Sequence, residues 1–231
     1  MDIRIVDFVA GAREARGLAV IIDVFRAFSL AAYATSWGAA RIWPVDTIET
    51  ALELKRAHPE AILLGERYAR PLPGFDGGNS PSDLERLDLR GKTLIHTTHA
   101  GTQGLANAQL ADEVITGALV NAGAIVEYIR QRAPAQLTLV RMGQHARERC
   151  EEDDACADLI VRRLRGESPD PAAIRERLRS APSAAKFFDP ACDWAPERDF
   201  ELCTRVDAFD FVLRLDRDAS PAALVPISVQ R

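Results

Sequence analysis

Short apolar runs alternate with helix-forming stretches over the first two-thirds of the chain, and that alternation narrows the possible folds more than any other feature. Leu18 to Asp23 (LAVIID), Ala40 to Val45, Ala61 to Leu64, Lys92 to Thr97 (KTLIHT), Glu113 to Thr116 and Gln136 to Arg141 (QLTLVR) read as strands. The helical stretches are Ala27 to Trp37, a segment capped by Asp46 or Thr47 and ending near Arg56, Gln103 to near Leu110, Val120 to Arg132, and Glu151 to Arg165. Strands that are apolar along their whole length, rather than at alternate positions, are buried on both faces. The pattern therefore predicts an α/β fold of three layers, α/β/α, around a mostly parallel mixed sheet, in one lobe or two. An opening strand, Ile3 to Phe8, precedes it. Beyond Gly166 polar helices take over, punctuated by Pro169, Pro171, Pro182, Pro190 and Pro196. This helical segment, about residues 166–205, is expected to pack onto the rest of a single domain spanning residues 1–231. A strand from Phe211 to Leu215 and a tail from Ala223 to Val229, placed to pair at a sheet edge, close the chain.

Composition removes several classes. A net charge of -5, with no basic cluster carrying interleaved aromatics, argues against a nucleic-acid surface. No run of about 18 apolar residues is present to span a membrane. The opening MDIRIVDFVAG lacks a basic segment followed by an apolar one, so a cytoplasmic protein is expected. Cys150, Cys156, Cys192 and Cys203 form no CxxC pair and read as reduced core thiols rather than disulfides or zinc ligands. A homodimer would be ordinary at this size, although no stretch marks an interface.

The chemistry gathers in loops. Leu63 to Leu84 (LLGERYARPLPGFDGGNSPSDL) leaves a strand, turns polar at Gly65-Glu66-Arg67, and passes two prolines and four glycine or aspartate positions before Asn79-Ser80-Pro81. Loops this long and this densely punctuated carry function more often than mere connection. Asn79 or Ser80 can cap a helix running on through Leu84 and Leu87. In open α/β sheets ligands collect at the carboxyl ends of strands. Those ends here supply Asp23 and Arg26, then Gly65 and Glu66, then Thr97 to Thr102 (TTHAGT), and then Gly143 to His145 upstream of Glu151 to Asp154. Hydroxyls and glycines ahead of a helix, with a nearby arginine, suit a phosphate or sulfonate. Asp23, Glu66, Glu152 and Asp153 suit a hard cation such as Mg²⁺. Plainer readings stand beside these: Asp23 as a helix cap, Glu152 and Asp153 as acids favoured by a helix dipole, His99 and His145 as satisfied loop histidines. The residues by themselves define an anion-binding α/β protein with a carboxylate set suited to a divalent cation.

Taken together the motifs resemble the 2-phosphosulfolactate phosphatase family. Its DVxRA segment stands here as Asp23-Val24-Phe25-Arg26-Ala27, and its GER…PxPGFxxGNSPxE loop as Gly65-Glu66-Arg67 with Pro71 to Asp83. Its GKT strand and TTxxGT turn match Gly91-Lys92-Thr93 and Thr97 to Thr102, and its EDxxCAG helix start matches Glu152-Asp153 through Cys156-Ala157. The closing FELCTRVDAFDFV is also similar, so the match covers nearly the whole chain. The resemblance implies a three-layer α/β/α phosphatase dependent on Mg²⁺, acting through a metal-activated water on a small anionic phosphorylated hydroxy acid, a step in coenzyme M synthesis. It makes Asp23, Arg26 and Glu66 candidate catalytic residues, and Asp23, Glu66, Glu152 and Asp153 candidate metal ligands. Asn79, Ser80, Thr98, Gly101 and Thr102 become candidates for holding the phosphate and the substrate's acidic groups.

Three departures from the family pattern bear on the substrate. Phe28 and Leu30 replace the usual threonines, His99-Ala100 replaces a usual Thr-Asn, and Asp158 replaces a small glycine. The metal frame is thus kept while positions expected to face the substrate are altered, which suggests a substrate other than phosphosulfolactate itself. The alternative is a non-catalytic, anion-binding or regulatory relative that keeps the fold without turnover.

Overall fold

The structure, a computed structural model, describes residues 1–229. Among them ten strands form one mixed sheet: β1 (Asp2–Asp7), β2 (Leu18–Ile22), β3 (Arg41–Val45), β4 (Ile62–Arg67), β5 (Arg70–Pro71), β6 (Thr93–Thr97), β7 (Glu113–Gly117), β8 (Gln136–Arg141), β9 (Phe211–Asp216) and β10 (Ala223–Ser228). The helices are α1 (Phe8–Glu14), α2 (Ala27–Ser36), α3 (Ile48–Ala57), α4 (Pro81–Leu84), α5 (Gly101–Asn107), α6 (Ala122–Arg132), α7 (Glu151–Leu164), α8 (Pro171–Arg179) and α9 (Glu197–Cys203). Short 3₁₀ turns occupy Leu119–Asn121 and Pro182–Phe187. No helix among the described residues is long and apolar enough to cross a membrane.

Strand order is β1-β8-β2-β7-β9-β10-β3-β6-β4-β5. Two parallel blocks, β1-β8-β2-β7 and β3-β6-β4, are joined through β9 and β10, which pair antiparallel with each other. The joints are thin: β7 registers with β9 only at Ile115↔Arg214, and β10 with β3 only at Leu224↔Ile42. The reversals leave the two blocks running in opposite directions through the sheet. A twist of roughly 20–25° per neighbouring pair, summed from β2 to β6, turns the second block by roughly 100–125°. The carboxyl ends of both blocks are thereby brought to one place.

The core follows that curl. α2 is buried from Ala27 through Ala34, as expected of a helix apolar all round. It sits with Leu105 of α5 in a central cluster fed by Ile21, Val140, Ile42, Leu64, Leu94, Leu213 and Leu224, so strands of both blocks face it. The opposite face of the first block (Val20, Ile22, Leu139) packs on α6, α7, Ile174, Leu178 and Phe200. That of the second (Trp43, Leu63, Ile95) packs on Ala51 of α3.

Four local expectations change. The tail strand β10 lies inside the sheet, between β9 and β3, rather than at an edge. β4 does not end at Leu64 but continues through Arg67, because Gly65 still pairs with Thr97 and Glu66 and Arg67 pair with β5. α4 is a single turn that stops at Leu84, since Leu84 is buried and the next apolar residue, Leu87, is exposed. The sequence pattern also missed α1, which buries only Gly11 and Ala12 and so shows no apolar stripe.

Candidate active site

β2 is buried at all five positions, and its end delivers Asp23 to the mouth of the sheet. Asp23 Oδ1 accepts the Ala27 N–H at 3.2 Å, so the carboxylate does cap the following turn. It also lines a cavity of about 200 Å³. Burial raises its pKa to about 7, and the Glu66 charge adds to the effect while the Ala27 N–H opposes it. Gly101 is needed beside it: a Cβ there would lie 2.8 Å from Asp23 Oδ2 and 3.0 Å from Ala27 Cβ.

Glu66, near the end of β4, is oriented by two backbone donors. His99 N–H reaches Oε1 at 2.6 Å and Ala69 N–H reaches Oε2 at 2.7 Å. The second bond depends on a turn in which Tyr68 and Ala69 both have positive φ, 55° and 63°. Such conformations cost free energy and persist where surrounding structure enforces them. Asp153, at the start of α7, ties the ends of β2 and β8 together, accepting Val24 N–H at 2.9 Å and Gly143 N–H at 2.8 Å. Gly143 has φ 63°, and a Cβ there would strike Glu148 O at 2.2 Å. Burial holds Asp153 well above the usual carboxylate range, with the Asp23 and Glu152 charges adding. Glu152 accepts the Ser183 hydroxyl at 2.5 Å and is also raised by burial, against the pull of Lys186.

Asp23, Glu66, Glu152 and Asp153 all line this one cavity, together with Asn79, whose Oδ1 lies 3.1 Å from His96 Nε2. Cys150 joins Glu152 and Asp153, with Sγ and one oxygen of each acid within 4.8 Å of one another. Burial and the neighbouring acids push its thiol up, so it stands there protonated.

The remaining predicted residues surround the cavity without lining it. Arg26 donates to Asp199 Oδ2 at 2.6 Å, to Trp194 O at 2.9 Å and to Ala69 O at 3.1 Å, a buried clamp that joins three segments. Ser80 caps α4 and donates to Asp199 Oδ1 at 2.9 Å. Thr98 and Thr102 exchange hydrogen bonds across the start of α5, at 2.9 and 3.1 Å. Of the three departures from the family pattern, only His99-Ala100 faces the cavity. Phe28 and Leu30 are core residues, so no polar wall of the cavity has become apolar at those positions. Asp158 is an exposed partner of Arg162.

Sequence motifs missed Tyr68, Lys186, Ser183 and Trp194, which also line the cavity. Tyr68, His99 and His145 form a ring cluster with centroids 4.7–5.2 Å apart. Lys186 carried one usable signal, a lone cation in the apolar run SAAKFF.

Fold and site together define an α/β protein that closes a small cavity around buried carboxylates at the carboxyl ends of its strands. The chain belongs to the 2-phosphosulpholactate phosphatase family, whose model matches residues 5–218. A protein of Carboxydothermus hydrogenoformans named probable 2-phosphosulfolactate phosphatase is 40% identical over 211 residues, covering 84% of each chain. Proteins of the same name from Thermotoga maritima and Bacillus subtilis are 36% and 30% identical, covering 84% and 86% of this chain and 87% of each relative.

Proposed function

We propose that this protein is a Mg²⁺-dependent phosphatase that hydrolyses the phosphate monoester of a small acidic hydroxy acid, 2-phosphosulfolactate or a relative. One observation carries the reading: four carboxylates line a cavity in which, among the described residues, Lys186 is the only lysine or arginine. A phosphate dianion cannot enter such a cavity unless further positive charge accompanies it. The donor set fits a hard divalent cation, since buried carboxylate oxygens are the ligands such ions take, and a protonated thiol is not. Glu152 and Asp153, whose oxygens lie within 4.8 Å of one another, would hold it with Asp23 and Glu66, which line the same cavity. When bound, the ion offsets phosphoryl charge and acidifies a water nucleophile.

The chain's own groups do the rest. Backbone N–H groups fix Glu66 and Asp153 before substrate arrives, so no reorganisation is required at the moment of reaction. Asn79, held by His96, presents its amide to the cavity wall. As water attacks phosphorus the bond to the ester oxygen breaks, and the proton that the water gives up balances the one that the leaving oxygen takes. The cavity, about 200 Å³, suits a small metabolite.

Phosphate release from phosphosulfolactate and from p-nitrophenyl phosphate, measured with Mg²⁺ and with EDTA, tests the proposal. Release that needs the metal and falls by about 10²–10⁴-fold in Asp23→Asn is the expected result. A folded protein that releases phosphate from neither compound overturns the phosphatase assignment and favours an anion-binding relative. Equal release with EDTA overturns the metal.

A further inference from the structure

Lys186 projects from the 3₁₀ turn Pro182–Phe187, in the proline-punctuated stretch where motifs suggested no chemistry. Its ammonium lies 5.8 Å from the Phe25 ring centroid and 5.1 Å from that of Phe187. These rings fix the side chain without satisfying its three N–H donors. Among the described residues it makes no hydrogen bond and no ion pair within 4.0 Å. Glu152 is the charge that acts on it most, yet that carboxylate is held by Ser183 instead. Lys186 therefore faces the cavity as an ammonium with open donors.

A second unpaired donor belongs to another residue that lines this cavity. Trp194 lines the cavity, and its Nε1–H is buried without a partner. The ring is fixed by Arg26 and Arg70, whose guanidinium carbons lie 5.9 and 5.5 Å from its centroid. A buried donor left unpaired costs free energy, so one in a residue that shares its cavity with an open ammonium points to an acceptor in the loaded state. Both residues line the cavity that Asp23, Glu66, Glu152 and Asp153 also line, and they supply N–H groups for oxygens that the carboxylates would repel.

We infer that Lys186, assisted by the Trp194 N–H, is the protein's binding site for the substrate's phosphoryl oxygens. The inference rests on the phosphatase reading for its substrate but not for its geometry. An oxyanion on these donors has two sources in a phosphorylated hydroxy acid, the phosphoryl group and the organic acid group. The neighbourhood of Glu152 places Lys186 at the phosphoryl end.

Calorimetric titration of the Mg²⁺-loaded protein with inorganic phosphate, and separately with sulfolactate, tests the assignment. Lys186→Gln should weaken phosphate binding at least about tenfold, Trp194→Phe about threefold, and Lys186→Arg least of the three. Sulfolactate affinity should change less than about twofold in each. Phosphate affinity unchanged in a folded Lys186→Gln overturns the inference, as does a selective loss of sulfolactate binding. If Lys186→Gln does not fold, Trp194→Phe, which keeps the ring and removes only the donor, still decides: unchanged phosphate affinity counts against the inference. A wild-type protein that binds phosphate through Lys186 but hydrolyses no phosphomonoester overturns the phosphatase reading alone. Turnover with phosphate binding indifferent to Lys186 overturns this inference alone.

Discussion

At Asp23 one carboxylate accepts the Ala27 N–H and also faces the cavity, so helix capping and site geometry are properties of the same two oxygens. Its position was legible because a carboxylate that ends a fully apolar strand stands out in sequence. Asp199 was not, since what distinguishes it is what it faces across the fold, and Lys186 showed only as a lone cation in an apolar run. His96 is a third case, buried in β6 where the sequence shows only an apolar run with a polar interruption. Burial lowers its pKa from 6.5 to about 4, so the folded protein keeps it neutral. The folded pKa lies below the unfolded one, so the unfolded chain takes up the proton first as pH falls. The stability tied to this residue is therefore complete above about pH 6.5 and is lost as pH falls toward 4. Between about pH 6.5 and 5 the loss should be about 1–2 kcal/mol. Urea melts across that range should show the slope, and His96→Gln should flatten it. A variant with the wild-type slope would assign the proton uptake to other groups.

Among the elements, the strands other than β5 and the end of β4 were read from sequence nearly to their bounds, because apolar runs and strand boundaries coincide when both faces of a sheet are covered. The place of β10 was not legible, and two prolines show why. Pro44 in β3 and Pro226 in β10 flank a joint with one registered pair, so neither strand advertises an interior position by its hydrogen-bonding residues. The short α9 was equally opaque, and it carries Asp199, which is fully buried. Asp199 receives Arg26 at 2.6 Å, the Ser80 hydroxyl at 2.9 Å and the Ser82 N–H at 2.9 Å. One side chain thus binds the start of α2, the glycine-rich loop and α9 together. Removing one partner of a buried ion pair strands the other in the interior, at a cost of about 3–5 kcal/mol. Asp199→Ala should lower the unfolding free energy by that amount in denaturant melts. A change under about 1 kcal/mol would mean that water reaches Arg26 and the clamp is not buried in solution.

For the molecule as a whole, the decisive arrangement is that the carboxylates come from both halves of the curled sheet. Asp23 follows β2, and Glu152 and Asp153 follow β8, in one parallel block, whereas Glu66 belongs to β4 in the other. The halves are otherwise joined in the sheet by ladders of a single pair at β7–β9 and β10–β3. Acids that repel one another across this junction work against its closure, and a divalent ion shared between them would reverse that effect. Ligand that binds only the folded state stabilises it by about 2.7 kcal/mol at a hundredfold excess over Kd. Mg²⁺ should therefore raise the melting temperature in a concentration-dependent way, and EDTA should remove the gain. Because the fastening acts across the two halves, the same ion should slow amide exchange in β3 and β10 more than in β2 and β8, which already sit within one block. Glu66→Gln separates the possibilities. If the ion bridges the halves, the variant keeps less of the thermal gain and loses the selective protection of β3 and β10. If the full gain survives in Glu66→Gln, the ion is held by Asp23, Glu152 and Asp153 alone, and the junction owes its closure to the core around α2.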